Sequence, residues 1–120
     1  MAVATVIELA DLALSQRAAR FEGADHGAQV SFFVTTHEYG AGPDLHRHPY
    51  EETFIVQEGA VRFTVDGETV DARGGQVVVV PAGAAHGFKG ASDEPVRIVS
   101  LHPAPAMEQT WLDEPALPPD

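Results

Sequence analysis

The sequence predicts an all-β fold, a sandwich or closed barrel of short antiparallel strands with little helix. Short runs of β-branched and aromatic residues recur at intervals of about eight to twelve residues, with Gly, Pro or Asp between them. The chain also contains 11 Gly and 9 Pro, which favours many short elements joined by turns over a few long helices. No stretch carries the sustained 3.6-residue period of an amphipathic helix.

The length and composition are those of one domain. The chain has 120 residues, and its hydrophobic content of 44% is sufficient for a core without covalent staples. We expect a single domain over residues 1–120, with a barrel core at about 28–102. Residues 103–120 hold five Pro and four acidic residues, and we expect a tail that hugs the surface or is disordered.

The charge excludes several classes of partner. A net charge of -11 with seven Lys and Arg in total argues against nucleic-acid binding and against docking on an anionic membrane. The absence of Cys excludes disulfides, thiolate metal sites and cysteine nucleophiles.

Residues 1–10 lack the basic start of a secretion signal, and no apolar run approaches the ~20 residues of a membrane span, so we expect a cytoplasmic protein.

The first strands are predicted with unequal clarity. Ala4–Leu9 reads as a short strand, whereas Asp11–Arg20 could be a helical turn or an irregular segment, and both alternatives stay open. Val30–Tyr39 is rich in β-branched and aromatic residues and is predicted as a strand that ends at Gly40. From His46 to Gln57 the side chains alternate with a period of two.

The later strands begin with a hairpin. Val61–Val65 and Glu68–Ala72 flank Asp66-Gly67, a strong hairpin signal because both turn positions need a positive φ. The run Val77–Val80 is wholly apolar, which suits a strand buried on both faces. Val96–Leu101 is a further strand, and Met107–Leu112 is predicted to form one helical turn in the tail.

One group of residues could carry chemistry. His46 and His48 stand in an HxH pair, which on an extended strand places both imidazoles on one face. Glu52 keeps the same parity, so the three side chains can converge if the strand stays regular. Taken alone, this pattern leaves a metal site and a chance pairing in a polar loop equally open.

The spacing around this group is more specific. Gly40 is followed after five residues by His46-Arg47-His48, after three more by Glu52, and after six more by Gly59. A second block runs from Gly75 through five residues to Pro81-Ala82-Gly83 and two residues later to His86. At these spacings the two blocks resemble the two signature motifs of the cupin family, as found in small single-domain bacterial members. Gly90 stands where the second motif usually ends in Asn, a residue that is not a ligand in the family.

The resemblance implies a double-stranded β-helix, or jelly-roll, cupin barrel that holds one divalent transition metal ion. It implies four metal ligands: His46, His48, Glu52 and His86. Glu51 competes with Glu52, but strand parity puts Glu51 on the opposite face and the motif spacing selects Glu52. Imidazole and carboxylate together suit Fe, Mn, Ni, Cu, Co or Zn, and open coordination positions would distinguish a catalytic from a structural site.

Candidate pocket residues follow from parity. Phe54, Val56 and Phe88 share the parity of the implied ligands, and they could line a pocket or simply fill the barrel core. Tyr50 could bring its phenol near the metal or lie at the barrel mouth. His37 and His102 lie on flanking strands, where we favour surface positions over a role as bases beside the ligands.

The resemblance further implies a metalloenzyme acting on a small organic molecule, with dioxygenase-type oxidation favoured and isomerase or decarboxylase activity also represented. Glu52 is then the candidate general base for a substrate hydroxyl. The alternative is a non-catalytic, metal-dependent small-molecule binder or sensor. The family resemblance also implies a homodimer, for which Ala4–Leu9 is the candidate exchanged strand; the same segment could instead pair within its own barrel.

Overall fold

The computed structural model describes residues 2–119, and within them short strands form two antiparallel sheets that face each other. Met1 and Asp120, the ends of the predicted domain, lie outside the described residues. The strands are β1 (Ala13–Ser15), β2 (Ala18–Phe21), β3 (Ser31–His37), β4 (His46–Arg47), β5 (Glu52–Glu58), β6 (Ala60–Val65), β7 (Glu68–Arg73), β8 (Val77–Val80), β9 (His86–Gly90), β10 (Val96–His102) and β11 (Thr110–Trp111). Two 3₁₀ turns, Leu9–Leu12 and Gly23–Asp25, complete the regular structure of these residues.

The strand order confirms the predicted jelly-roll. The larger sheet runs β1-β2-β3-β10-β5-β8 and the smaller sheet runs β11-β4-β9-β6-β7. Strands that are distant in sequence lie side by side, as where β10 enters between β3 and β5. The chain therefore passes back and forth between the sheets, and inward-facing side chains from both sheets meet in one interior.

The interior is apolar through most of its depth. Phe54 on β5 packs against Phe63 on β6 with ring centroids 4.8 Å apart, and Phe63 packs against Phe88 on β9 at 5.4 Å. Val61 and Ile98 are buried in the same cluster. Each such side chain contributes about 1.5–3 kcal/mol on burial, so these residues hold the two sheets together.

The hairpin prediction is confirmed. β6 and β7 pair from Ala60 opposite Arg73 to Val65 opposite Glu68. Asp66 and Gly67 form the turn with φ of 48° and 84°, the left-handed conformation that a type I′ turn requires at both positions. Asp66 adds a support of its own, since its Oδ1 accepts a hydrogen bond from the backbone N–H of Ala85 at 2.9 Å.

The prediction of a strand at Ala4–Leu9 is wrong. Residues 4–8 have no regular structure, and a 3₁₀ turn, Leu9–Leu12, follows them. The open question at 11–20 resolves into the end of that turn and the β1–β2 hairpin. Because β1 and β2 already occupy the edge of the larger sheet beside β3, the segment before them gains no strand partner within the described residues.

Two later predictions need correction. Val77–Val80 is a strand, but it is not buried on both faces, since Val77 and Val79 are 60% and 62% exposed. This follows from its place as β8 at the edge of the larger sheet, where only one side faces the interior. Met107–Leu112 is not a helical turn, because Thr110–Trp111 pairs with β4 as strand β11.

The tail from residue 103 to residue 119 follows the barrel surface, as the first of the two alternatives predicted. The backbone N–H of Leu45 donates to the carbonyl of Glu114 at 2.9 Å, and Leu117 N–H donates to Thr64 Oγ1 at 2.9 Å. Ala116 is buried between these anchors. Hydrogen bonds along its length therefore fasten the tail to the smaller sheet.

Across residues 2–119, no helix is long and apolar enough to cross a membrane.

Candidate metal centre

Four buried side chains meet where the two sheets come together. His46 on β4 pairs directly opposite His86 on β9 in the smaller sheet, and Glu52 opens β5 in the larger sheet. His48 follows β4 at once. The ligand atoms of these four residues all lie within 4.8 Å of one another, so a single ion could contact all of them. Glu51, the competing carboxylate, is exposed.

The convergence does not come from one regular strand. The predicted alternation from His46 to Gln57 is interrupted, because β4 ends at Arg47 and β5 begins at Glu52. Pro49 lies in the intervening turn and has no N–H to offer a strand partner. His46 and Glu52 therefore reach the same point from two different sheets, and the even spacing of their numbers is not what brings them together.

Backbone carbonyls fix the proton position on three imidazoles. A carbonyl oxygen only accepts hydrogen bonds, so a histidine Nδ1 beside one must carry its proton, which leaves Nε2 with a free lone pair. The three pairs are His46 Nδ1 with Asp44 O at 2.7 Å, His48 Nδ1 with Glu108 O at 2.6 Å, and His86 Nδ1 with Ala84 O at 2.9 Å. All three Nε2 atoms are thereby prepared as metal ligands.

The carboxylate of Glu52 lies among these lone pairs. Its Oε1 is 2.8 Å from His86 Nε2 and 3.0 Å from His48 Nε2. The second contact is too bent for a hydrogen bond, which leaves His48 Nε2 buried without a hydrogen-bond partner. Lone pairs facing a carboxylate require a cation between them, either a proton or a metal ion.

The titration behaviour agrees with a site built for a cation. Burial alone would raise the pKa of Glu52, but contacts with His102, His48 and His86 outweigh it and hold this pKa well below its usual range. Burial lowers the pKa of His46 to about 4, so that its ring stays neutral. Burial also opposes protonation of His48, yet the negative charge of Glu52 beside Nε2 and the Glu108 carbonyl at Nδ1 raise its pKa, which favours a cation at this position. The donor set of neutral imidazoles and one carboxylate fits a divalent transition metal.

His102 is placed differently from the prediction. It is 1% exposed and not at the surface, and its Nε2 lies 3.0 Å from Glu52 Oε2. The strand β10 runs one residue further than predicted, and His102 shares the inward parity of Ile98 and Ser100. Extending the predicted strand by that residue would have revealed the inward position.

His37 is also not at the surface. It is half-buried, and its Nε2 lies 2.8 Å from Thr35 Oγ1. Burial, with the positive charges of Lys89 and Arg17, lowers the pKa of His37 from 6.5 to about 4. Its ring packs edge-on against Phe88, with the ring centroids 5.0 Å apart.

A cavity of about 280 Å³ adjoins the cluster. His46 and Glu52 form part of its wall, and Thr35, His37, Ser100 and His102 add further polar groups. The predicted lining residues Phe54 and Phe88 are in the wall, joined by Phe33 and Trp111, which sequence reasoning missed. Trp111 belongs to the tail, and its ring lies 5.0 Å from that of His46.

The other two predicted lining residues lie elsewhere. Val56 does not line the cavity. It is part of the apolar core, which was the other position that its parity allowed. Tyr50 stacks on the ring of His48 at 5.2 Å, with its hydroxyl 2.6 Å from His102 Nδ1. The phenol is therefore near the cluster, but Tyr50 is not among the residues that line the cavity.

The chain is similar to known proteins in both sequence and structure. A family model described as a cupin domain matches residues 33–102. A protein from Streptomyces cyaneus named polyketide synthase CurC is 35% identical over 80 residues, which is 62% of this chain and 52% of that protein. The chain thus spans about half the length of this relative.

Solved structures with a similar fold include oxalate decarboxylases. The S161A mutant of the Bacillus subtilis enzyme gives a TM-score of 0.75 at 23% identity over 87% of this chain and 31% of that chain. The Lactobacillus farciminis enzyme gives a TM-score of 0.73 at 21% identity, over 79% of this chain and 30% of that chain. A further structure of the B. subtilis enzyme comes from work on its Mn(II) centers. It gives a TM-score of 0.72 at 23% identity, over 82% of this chain and 29% of that chain. At these identities the likeness shows a shared fold.

The low pKa of His37 leads to a prediction about acid stability. The unfolded chain takes up this proton near pH 6.5, whereas the folded protein takes it up only near pH 4, so stability falls as the pH falls through this window. In metal-free protein, His37→Gln should make the unfolding free energy depend less steeply on pH. The slope should fall by up to the amount that corresponds to about one bound proton. Urea denaturation at a series of pH values measures this slope, and an unchanged slope in the variant would contradict it.

Proposed function

Because this chain belongs to the cupin family, we propose that His46, His48, Glu52 and His86 bind one divalent transition metal and that the adjoining cavity receives a small organic substrate. A metal bound there would supply Lewis-acid or redox chemistry at its open coordination positions. The observation that carries the proposal is that His46 and Glu52 belong both to the cluster and to the wall of the cavity. A molecule in the cavity would therefore touch the reactive centre directly.

The cavity supports a small, largely apolar substrate. At about 280 Å³ it is larger than the ~150 Å³ cavity that accommodates benzene, and smaller than most drug-sized pockets. Aromatic rings from Phe33, Phe54, Phe88 and Trp111 supply flat apolar walls. One substituted ring, or a compact pair of rings, would match this space and exclude water from it.

The polar groups on the same wall suggest oxygen substituents on that substrate. Thr35 and Ser100 offer hydroxyls, and the ring of His37 is neutral at pH 7. The relative named polyketide synthase supports the same class, because polyketide chemistry produces phenols and β-dicarbonyl compounds. We therefore favour dioxygenase-type oxidation of a phenolic or dicarbonyl compound. Glu52, which lies in the cavity wall, is the candidate base for the substrate hydroxyl.

Elemental analysis tests the metal site first. We expect about one transition metal ion per chain in protein purified without a His tag, and its loss in His86→Ala, because one of four converging ligands is gone. His26→Ala is the matched control, since His26 stacks on Phe21 outside the cluster and its loss should leave the metal in place. Absence of metal from the wild type after incubation with Fe(II), Mn(II), Ni(II) and Zn(II) would refute the site.

Turnover tests the reaction. We expect oxygen consumption when the metal-loaded protein is mixed with phenolic or β-dicarbonyl compounds. The rate should fall about 10²–10⁴-fold in Glu52→Gln, because the base is removed. Full activity with full metal content in that variant would show that the carboxylate is neither a required metal ligand nor the general base. Conversion of the compound without oxygen uptake would indicate an isomerase or decarboxylase, and saturable binding without conversion would indicate a sensor.

We also propose a homodimer built on the N-terminal segment. Val3 and Val6 are 83% and 90% exposed on a segment without regular structure, so their apolar side chains lack cover within the described chain. The outer face of the larger sheet is apolar as well, with Ile55, Val77 and Val79 exposed on neighbouring strands. A segment exchanged between two copies would cover both surfaces.

Deleting residues 1–10 should convert the dimer to a monomer, because the exchanged segment is removed while every strand of the barrel remains. Light scattering behind a size-exclusion column measures the mass directly. A double substitution, Val3→Ser with Val6→Ser, should weaken the dimer without shortening the chain. A wild type that is monomeric, or a deletion variant that stays dimeric, would contradict this assembly.

A further inference from the structure

We propose that His102 is a positioning residue for Glu52, that it carries its proton on Nε2, and that Tyr50 sets this tautomer. His102 would thus differ from the three proposed histidine ligands, whose protons lie on Nδ1. The inference rests on the proposed metal site, in which Glu52 is a ligand. The proposal assigns a task to a buried histidine outside both signature motifs and to a tyrosine at an unspecified position of the first motif.

The position of His102 brings it against one oxygen of Glu52 only. Leu101 on β10 pairs with Thr53 on β5, so His102 lies beside Glu52 across the same pair of strands. Its Nε2 is 3.0 Å from Glu52 Oε2, a contact too bent to count as a hydrogen bond, and it has no hydrogen-bond partner among the described residues. Oε1 instead faces the Nε2 atoms of His48 and His86. The two carboxylate oxygens therefore have separate neighbours.

The hydroxyl of Tyr50 determines where the proton of His102 lies. This oxygen accepts the backbone N–H of Glu108 at 3.2 Å and lies 2.6 Å from His102 Nδ1. The other acceptor in reach, the Glu108 carbonyl, is 3.5 Å away. The hydroxyl proton is therefore best placed on the short contact, where it is donated to Nδ1, and the ring proton of His102 is left on Nε2.

Electrostatics favour the same tautomer. A lone pair on Nε2 would face the negative oxygen of Glu52 at 3.0 Å inside the protein, which is unfavourable at low dielectric. A proton on Nε2 turns this contact into an attraction. It also occupies Nε2, so that His102 holds Oε2 in place and leaves Oε1 to face the cluster. Such supporting contacts commonly set both the orientation and the affinity of a metal ligand.

Long-range 1H–15N correlation spectra of metal-free and Zn(II)-loaded protein test the tautomer directly. We expect His46, His48 and His86 to carry protons on Nδ1 in the loaded protein, and His102 to carry its proton on Nε2 in both forms. A proton on Nδ1 of His102, or a metal-bound Nε2, would overturn the proposal. If the wild type bound no metal, the metal site would fail, whereas the metal-free spectrum would still decide the tautomer of His102.

Zn(II) affinity, measured by competition with a chelator, tests the positioning role. His102→Phe should weaken binding about 10–100-fold, whereas His102→Gln, which keeps an N–H donor, should recover most of the loss. Tyr50→Phe should weaken binding by a smaller factor, and it serves as the decisive variant should His102→Phe not fold. Ile98→Val is the matched control on the same strand and face: it should lower the melting temperature and leave the affinity unchanged.

Wild-type affinity in both His102→Phe and Tyr50→Phe would overturn the positioning role. A loss of affinity in Ile98→Val as large as in His102→Phe would also overturn it, because general loosening of β10 would then explain the effect.

Discussion

The burial of one carboxylate is the constraint on which the interior of this barrel depends. Taking an ionised carboxylate out of water costs several kcal/mol even after the surroundings relax, unless other groups compensate it. Here Glu52 is 3% exposed and is surrounded by imidazoles from three directions. Those imidazoles stand on strands of both sheets, so the sheets must close together before the charge is compensated. The contact between the two sheets and the compensation of this charge therefore depend on each other.

The same strand supplies both the charge and the apolar core. Along β5, Glu52, Phe54 and Val56 face inward in succession, which places a charged end and an apolar end on one side of the strand. The aromatic cluster fills the interior below the site and excludes water from that side. The carboxylate thus lies at the boundary between a dry core and a cavity, where charged interactions are strong but a ligand can still enter.

Much of this arrangement is readable from the sequence, and the exceptions have physical causes. The hairpin follows from Asp66-Gly67, because few other dipeptides tolerate two positive φ angles. The implied ligands come from motif spacing, which survives the break at Pro49 that strand parity did not anticipate. Local patterns could not show that β8 is an edge strand, since Val77 and Val79 look like core residues until the strand order is known. The inward position of His102 and the place of Trp111 depend equally on long-range pairing.

The carbonyl of Glu108 accepts the Nδ1 proton of His48, although the two residues are separated by 60 positions in the chain. Glu108 follows all four candidate ligands in the chain, so a chain truncated before it would keep those ligands but not this acceptor. His48 then lacks the acceptor that fixes its tautomer, and its ring can present either nitrogen. Such a truncated chain would hold all four candidate ligands, with one of them able to present the wrong nitrogen.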